Sequence, residues 1–380
     1  MALNPELALG ETYMDGELVL EKGAFWDLMT IIGRNADTTR APARWPGRAL
    51  FRRLERRLEQ LNDRAASLRN VHRHYDLSAD LYRRFLDRDM QYSCAYFPRP
   101  DMSLEEAQAA KKAHIAAKLR LQPGQRVLDI GCGWGGLGLE LARDHGAEVT
   151  GVTLSGEQLR IARERARNAG LTGRVQFDLR DYRDVEGPFD RIVSVGMLEH
   201  VGAPRLPEYF QQVARLLKPD GVALIHAIGG KGPPGVTQAF IRRHIFPGGY
   251  IPSLSEVTAA TERSGLWVTD IEVLRLHYAE TLKRWRERFL GQRAQIAELY
   301  DERFCRMWEA YLCMSEAAFR YLGQMVFQIQ LTRRVDALPI TRDYMAEAEA
   351  LNRAPARASA PGTAAARSDR RRTSRPSRVA

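Results

Sequence analysis

The chain has 380 residues, 44% of them hydrophobic, which permits a substantial core. A net charge of +10 points to an anionic partner, either nucleic acid or an anionic membrane surface. Cys94, Cys132, Cys305 and Cys313 show neither paired nor metal-ligand spacing, so a disulfide framework and a metal centre are not expected and a reducing compartment is favoured.

The first residues lack a signal-peptide pattern, and no stretch has the length of a transmembrane helix. Membrane contact is therefore expected to be peripheral, from the cytoplasmic side. Residues 1–75 read as a helical N-terminal region. Within it Phe51, Leu54, Leu58, Leu61, Ala65 and Leu68 recur at steps of three and four, opposite an Arg-rich face. Such a helix lies on anionic lipid or packs on a core.

From about Gly124 strands alternate with helices. Strands are predicted over 126–130, 148–153, 174–179, 189–195 and 221–228, and helices over 137–144, 155–169 and 206–217. This pattern implies an α/β fold with a mostly parallel sheet covered on both faces, and ligands at the strands' carboxyl ends. A Gly/Pro-marked insertion follows over 238–252, then a helix over 254–265 and a strand over 267–274. Residues 279–330 are expected to be dominated by long helices, with Trp285, Phe289, Phe304, Trp308, Tyr311, Phe319, Met325 and Phe327 as candidate walls of an apolar tunnel. The segment 354–380 is Ala/Arg/Ser/Pro-biased, with six Arg against one Asp in 363–380, and is expected to be disordered. The expected organisation is thus a 1–75 region, a 76–353 catalytic domain and a 354–380 basic tail.

The most informative stretch is Val-Leu-Asp-Ile-Gly-Cys-Gly-Trp-Gly-Gly over 127–136. It reads as a buried strand entering a glycine-rich turn and then a helix N-terminus with free N–H groups. No Lys-Ser/Thr follows the glycines, so a phosphate-binding loop is not supported. The acidic ribose ligand of a dinucleotide site is missing at the end of the next strand. A turn of the form D-x-G-x-G-x-G fits a cationic nucleoside without phosphate, S-adenosylmethionine (SAM).

Further motifs surround that turn: His74-Tyr-Asp-Leu, Gln91-Tyr-Ser-Cys-Ala-Tyr-Phe, Gly151-Val-Thr-Leu-Ser-Gly-Glu-Gln, Met197-Leu-Glu-His-Val-Gly, His226-Ala-Ile-Gly, Ile245-Phe-Pro-Gly-Gly and Glu302-Arg-Phe-Cys-Arg-Met-Trp. Together they make the chain resemble the cyclopropane-fatty-acyl-phospholipid synthases and mycolic acid cyclopropane synthases over roughly 71–333. The resemblance implies a Rossmann-like SAM methyltransferase fold with a helical acyl-binding cap. It implies transfer of a methylene group from SAM to the cis double bond of an acyl chain in a phospholipid. A carbocation forms on the chain, and a bound bicarbonate ion removes a proton so that the ring closes. The implied cofactor residues are Tyr92, Ser93, Asp129, Gly131, Gly133, Gly135, Thr153, Gln158 and Tyr182. The implied bicarbonate residues are Cys94, Glu199, His226, Ile228 through its backbone, and Tyr278. The implied partners are a phospholipid with unsaturated acyl chains and an anionic membrane surface; a homodimer is left open. His200 is expected to point away from the site.

One departure stands out. Where the family often carries a cysteine before Ala-Phe-Arg, this chain has Ser315. Cys313 would project about 200° away on a helix. A thiol has no role in alkene methylation through a carbocation, so the change does not imply loss of activity. Two other readings compete. A SAM methyltransferase leaving a methyl or methylene branch would share the cofactor site. Nucleic-acid binding, prompted by the charge, lacks any zinc, RNA-recognition or helix-turn-helix signature.

Overall fold

A computed structural model describes residues 4–36 and 77–353. The amphipathic 51–68 stretch and the basic 354–380 segment lie outside the described residues. In chain order the elements are α1 (Pro5–Met14), α2 (Phe25–Asn35), α3 (Ala79–Phe85), α4 (Leu104–Lys118), β1 (Arg126–Ile130), α5 (Gly136–His145), β2 (Glu148–Thr153), α6 (Gly156–Asn168), β3 (Val175–Leu179), β4 (Phe189–Val195), α7 (Leu206–Leu216), β5 (Leu217–Gly230), α8 (Leu254–Glu262), β6 (Trp267–Leu274), α9 (His277–Gly291), α10 (Arg293–Leu299), α11 (Glu302–Tyr321), β7 (Gln324–Thr332) and α12 (Asp343–Arg353).

Local sequence explains many of the boundaries. Ser103 and Glu106 form a reciprocal capping box that starts α4, and Ser253 with Glu256 does the same for α8. Ser155 caps α6 by accepting from the Gln158 N–H. Helix α5 stops at Gly146, whose φ of 68° suits a residue without Cβ.

The seven strands lie in the order β3-β2-β1-β4-β5-β7-β6. The first five run parallel, while β7 pairs antiparallel with both β5 and β6. The order reverses between β1 and β4, which opens a crevice at their carboxyl ends. Alternate strand residues feed two cores: Val127, Val149 and Val193 pack on the α5–α6 side, and Leu128, Ile192 and Ile225 on the α7–α8 side. The sheet is therefore sandwiched between helical layers, as the alternating pattern predicts.

Helices dominate 279–330 as expected, but its last residues differ. Residues 324–332 form a strand, in which Val326, Phe327, Ile329 and Leu331 are all buried. Gln328 and Gln330 alternate with the apolar residues, yet they too are buried between two neighbouring strands. Pairing with β7 also accounts for β5 extending to Gly230, two residues past the predicted end.

A third core is aromatic. Tyr82, Phe85, Trp285, Phe289 and Trp308 come from α3, α9 and α11 and meet edge to face. The described N-terminal helices join this same core. Tyr13 stacks on Phe25 at 4.1 Å and donates its hydroxyl to Glu309 of α11 at 2.9 Å. Gly33 of α2 lies so close to the Tyr321 ring that a Cβ there would fall 2.3 Å from it.

Candidate active site

Two cavities meet at the carboxyl ends of β1, β4 and β5. The first is bordered by the β1–α5 turn, the end of β2 and the loop carrying Tyr92 and Ser93. Gly131, Gly133 and Gly135 all adopt positive φ, at 82°, 54° and 80°. Their roles differ. A Cβ on Gly133 would meet no protein atom within 4 Å and would project into open space. A Cβ on Gly135 would strike the Phe177 ring at 2.6 Å. Gly135 does not itself border the cavity, and its lack of a Cβ serves close packing of the turn on the sheet. The other eight cofactor candidates all border the cavity.

The polar groups fit SAM. Asp129 is 2% exposed, and its Oδ2 has no partner among the described residues. Burial pushes its carboxyl up to about 7, although Lys111 nearby favours the charged form. A cationic amino-acid group would satisfy it. At the other end Thr153 donates to Gln158 Oε1 at 2.9 Å, which leaves the Gln158 NH₂ to face a ribose diol. Tyr182 stands edge-on to Tyr209, with the Arg183 guanidinium over its ring.

The second cavity brings together Cys94, Glu199, His226, Ile228 and Tyr278 from four separate segments, His226 and Ile228 both lying on β5. Tyr92, Ser93, Gly196 and His200 border both cavities, so the two share a wall. Glu199 sits in a short helical turn just after β4. Its Oε1 accepts the Ile228 N–H at 2.5 Å, and its Oε2 is buried without a partner among the described residues. The Ile228 N–H is thus already engaged by Glu199. Burial raises the Glu199 carboxyl to about 7 and drives His226 well below its usual range, so His226 is neutral. The Gln328 amide, opposite His226 in the β5–β7 register, donates to His226 Nδ1 at 3.1 Å. That bond places the ring proton on Nε2, which is buried with no partner among the described residues. The Cys94 thiol donates to the Ala95 carbonyl, and burial pushes its pKa up. It is therefore neither a nucleophile nor a base at neutral pH. Tyr278 packs against Trp285 and Phe319.

Ser315 borders the second cavity, whereas Cys313 is buried away from it with its pKa raised. Of the eight predicted tunnel residues, Tyr311 and Phe319 border the cavity; the other six do not. His200 does not point away, as the sequence suggested, but occupies the shared wall, where burial lowers it to about 4. The short helical turn over 198–200, rather than an extended strand, brings both Glu199 and His200 to the site. Sequence reasoning also missed Gln328 and the α4 pair Gln108 and Lys111, which hold the 91–93 loop. A glutamine in an apolar strand and a polar pair three apart on a capped helix were the available signals.

Comparison with known proteins agrees with this geometry. The mycolic acid cyclopropane synthetase family profile matches residues 62–329. The cyclopropane-fatty-acyl-phospholipid synthase of Escherichia coli K12 is 44% identical over 263 residues, covering 69% of this chain and 67% of that protein. The tuberculostearic acid methyltransferase UfaA1 of Mycobacterium tuberculosis is 44% identical over 285 residues, covering 72% and 66%. The crystal structure of mycolic acid cyclopropane synthase CmaA1 with SAH and CTAB superposes with a TM-score of 0.67 at 36% identity, covering 70% of this chain and 97% of that one. The chain belongs to the mycolic acid cyclopropane synthetase family and is a SAM-dependent methyltransferase.

Two predictions arise from the site. Gly133→Ala should carry only the strain of its positive φ, since its Cβ meets no protein atom, yet lose binding of S-adenosylhomocysteine (SAH) in calorimetry. Gly135→Ala, at a similar φ, should lower stability by about 1–3 kcal/mol more through the added clash with Phe177. SAH affinity unchanged in Gly133→Ala would misplace the cofactor. The second concerns Glu199, whose pKa rises from an ordinary 4.5 to about 7 on folding. A raised carboxyl favours the fold most below 4.5 and loses that contribution as pH climbs through 7. Glu199→Gln should therefore match the parent near pH 4.5 and exceed it at pH 8 by up to about 3 kcal/mol. Equal denaturant midpoints at pH 8 would contradict the buried, ligand-free carboxylate.

Proposed function

We propose that the chain transfers a methylene group from SAM to the cis double bond of unsaturated acyl chains in membrane phospholipids, with a bicarbonate ion as the base that permits ring closure. The shared wall of the two cavities carries this reading. It sets the glycine cleft directly against the pocket that gathers Glu199, His226 and Tyr278.

When bound in the glycine cleft, SAM supplies an electrophilic methyl group at that wall. Thr153, Gln158 and Tyr182 hold the nucleoside end, and Asp129, Tyr92 and Ser93 the amino-acid end. The second cavity has an apolar lining that includes Ile241, Phe246, Leu282 and Phe319, which suits an acyl chain and keeps water from a cationic carbon. The Glu199 carboxylate and the Tyr278 ring stabilise that positive charge. His226 Nε2–H and the Tyr278 hydroxyl are the donors an anion needs, and Glu199 Oε2 accepts the O–H of a bicarbonate. Ile228 acts through Glu199, whose carboxylate its N–H orients. Cys94 contributes a protonated thiol to the wall. The 76–353 region would be the catalytic domain. The Arg-rich 47–69 stretch and the 354–380 segment would hold the enzyme at an anionic membrane surface, a reading supported by their sequence charge. Among the described residues no helix is long and apolar enough to cross a membrane.

A second reading is supported by the equal identity to a tuberculostearic acid methyltransferase. In it the chain adds a methyl or methylene branch to a fatty-acyl or small-molecule substrate without ring closure. The two readings separate after methyl transfer to the alkene: loss of a proton with ring closure, where Glu199 and Tyr278 act, gives a cyclopropane, loss of a proton without it leaves a methylene branch, and a saturated methyl branch needs a hydride from a separate reductant. Phospholipids from cells expressing the gene should gain one CH₂ on unsaturated chains by mass spectrometry. Glu199→Gln and Tyr278→Phe should keep SAH affinity and lose about 10²–10⁴-fold in turnover. Near-normal ring formation by both variants in bicarbonate-depleted buffer would overturn the ion site.

A further inference from the structure

Lys111 is a buried lysine that the proposed reaction does not use. It is wholly buried on α4, and no ion pair among the described residues involves it. Its ammonium donates to Gln91 Oε1 at 2.6 Å and to Ser93 Oγ at 2.8 Å. One turn earlier Gln108 Nε2 donates to the backbone carbonyls of Gln91 and Ser93, at 3.3 and 3.0 Å. The two side chains thus grip the backbone and the side chains of the same loop, and that loop borders the cofactor cleft at Tyr92 and Ser93.

Holding the loop does not require a charge. A neutral donor would make the same two bonds without the cost of burying an ammonium. Unlike a hydroxyl or a neutral amine, however, the ammonium also fixes the direction of those bonds. An ammonium has only donors, so Ser93 Oγ must accept from it. The single Ser93 hydroxyl proton is then left to donate elsewhere, and Ser93 borders the cleft. In the same cleft, Asp129 offers a buried carboxyl oxygen with no partner among the described residues. A polarised donor and a buried carboxylate in one cleft match the two ends of a zwitterion. Lys111 is held near 8 by burial, partly offset by Asp87, and so is mostly charged at neutral pH.

We infer that Lys111 is a positioning residue that locks the Ser93 hydroxyl as an outward donor to the α-carboxylate of the cofactor's amino-acid end, while Asp129 receives its α-ammonium. This rests on SAM binding in the glycine cleft and adds the group that selects for an intact amino acid. Lys111 touches neither the cofactor nor the reacting carbon; it acts through Ser93.

The test is calorimetric, on the full-length protein, with SAH and with decarboxylated SAH, which lacks only the carboxylate. Lys111→Met should weaken SAH binding by about tenfold or more and leave decarboxylated SAH unchanged. Ser93→Ala, which leaves Lys111 in place, should show the same discrimination and serves if Lys111→Met does not fold. The double variant should bind SAH no more weakly than the weaker single, because the two act as one unit. Equal loss for both ligands would reduce Lys111 to a loop brace and overturn the inference, as would unchanged SAH affinity in folded Lys111→Met or Ser93→Ala. Wild-type protein that binds neither ligand would overturn the cofactor placement, and the inference with it.

Discussion

Two carboxylates, Asp129 and Glu199, are buried at the carboxyl ends of adjacent strands, each with an oxygen that meets no partner among the described residues. Burying a carboxylate is expensive unless something satisfies it, and here the fold leaves that to whatever fills the two cavities. Both carboxyls are raised to about 7, so each is poised between charged and neutral near physiological pH. The β1–β4 pairing puts the strand ends that bear them side by side, at the point where strand order reverses. Ligands that carry positive charge, or develop it, are what such a pair of sites favours.

The surrounding architecture supports that demand. Loop 91–94 runs between the cavities and is fixed from α4 by Gln108 and Lys111, and from α9 by Thr281, which accepts the Ala95 N–H. The antiparallel strand β7 brings Gln328 beside His226 and so sets which ring nitrogen carries the proton. Helices α9 and α11 contribute Tyr278, Tyr311, Ser315 and Phe319 to the second cavity. Their backs are braced by the aromatic core shared with α1 and α2. The site is thus built on strands and packed helices rather than on free loops, as positioning of a reacting carbon requires.

Much of the first half of this arrangement was legible in the sequence. Strands β1, β2 and β4 match their predicted limits, because apolar runs bounded by glycine or by a helix cap leave few alternatives. The glycine turn announced the cofactor cleft, but not that Gly133 faces it while Gly135 faces Phe177, since both need positive φ for different reasons. Strand β7 was not legible. Its buried glutamines broke the apolar run, and it followed a long aromatic helix that invited continuation. With β7 went Gln328. His200 was misread because alternation was carried past the end of β4 into what is a helical turn. Lys111 and Gln108 look like the solvated face of an exposed helix; only tertiary packing buries them.

The central claim is that the second cavity removes a proton from the carbon that the first cavity delivers, so that a three-membered ring closes. The most direct measurement uses SAM carrying a trideuterated methyl group with unsaturated phospholipid vesicles, and analyses the product by mass spectrometry and by its remaining double bonds. The account predicts a product that keeps two of the three deuterons and has lost the alkene. A product that retains all three deuterons, or that keeps a carbon–carbon double bond, would contradict it.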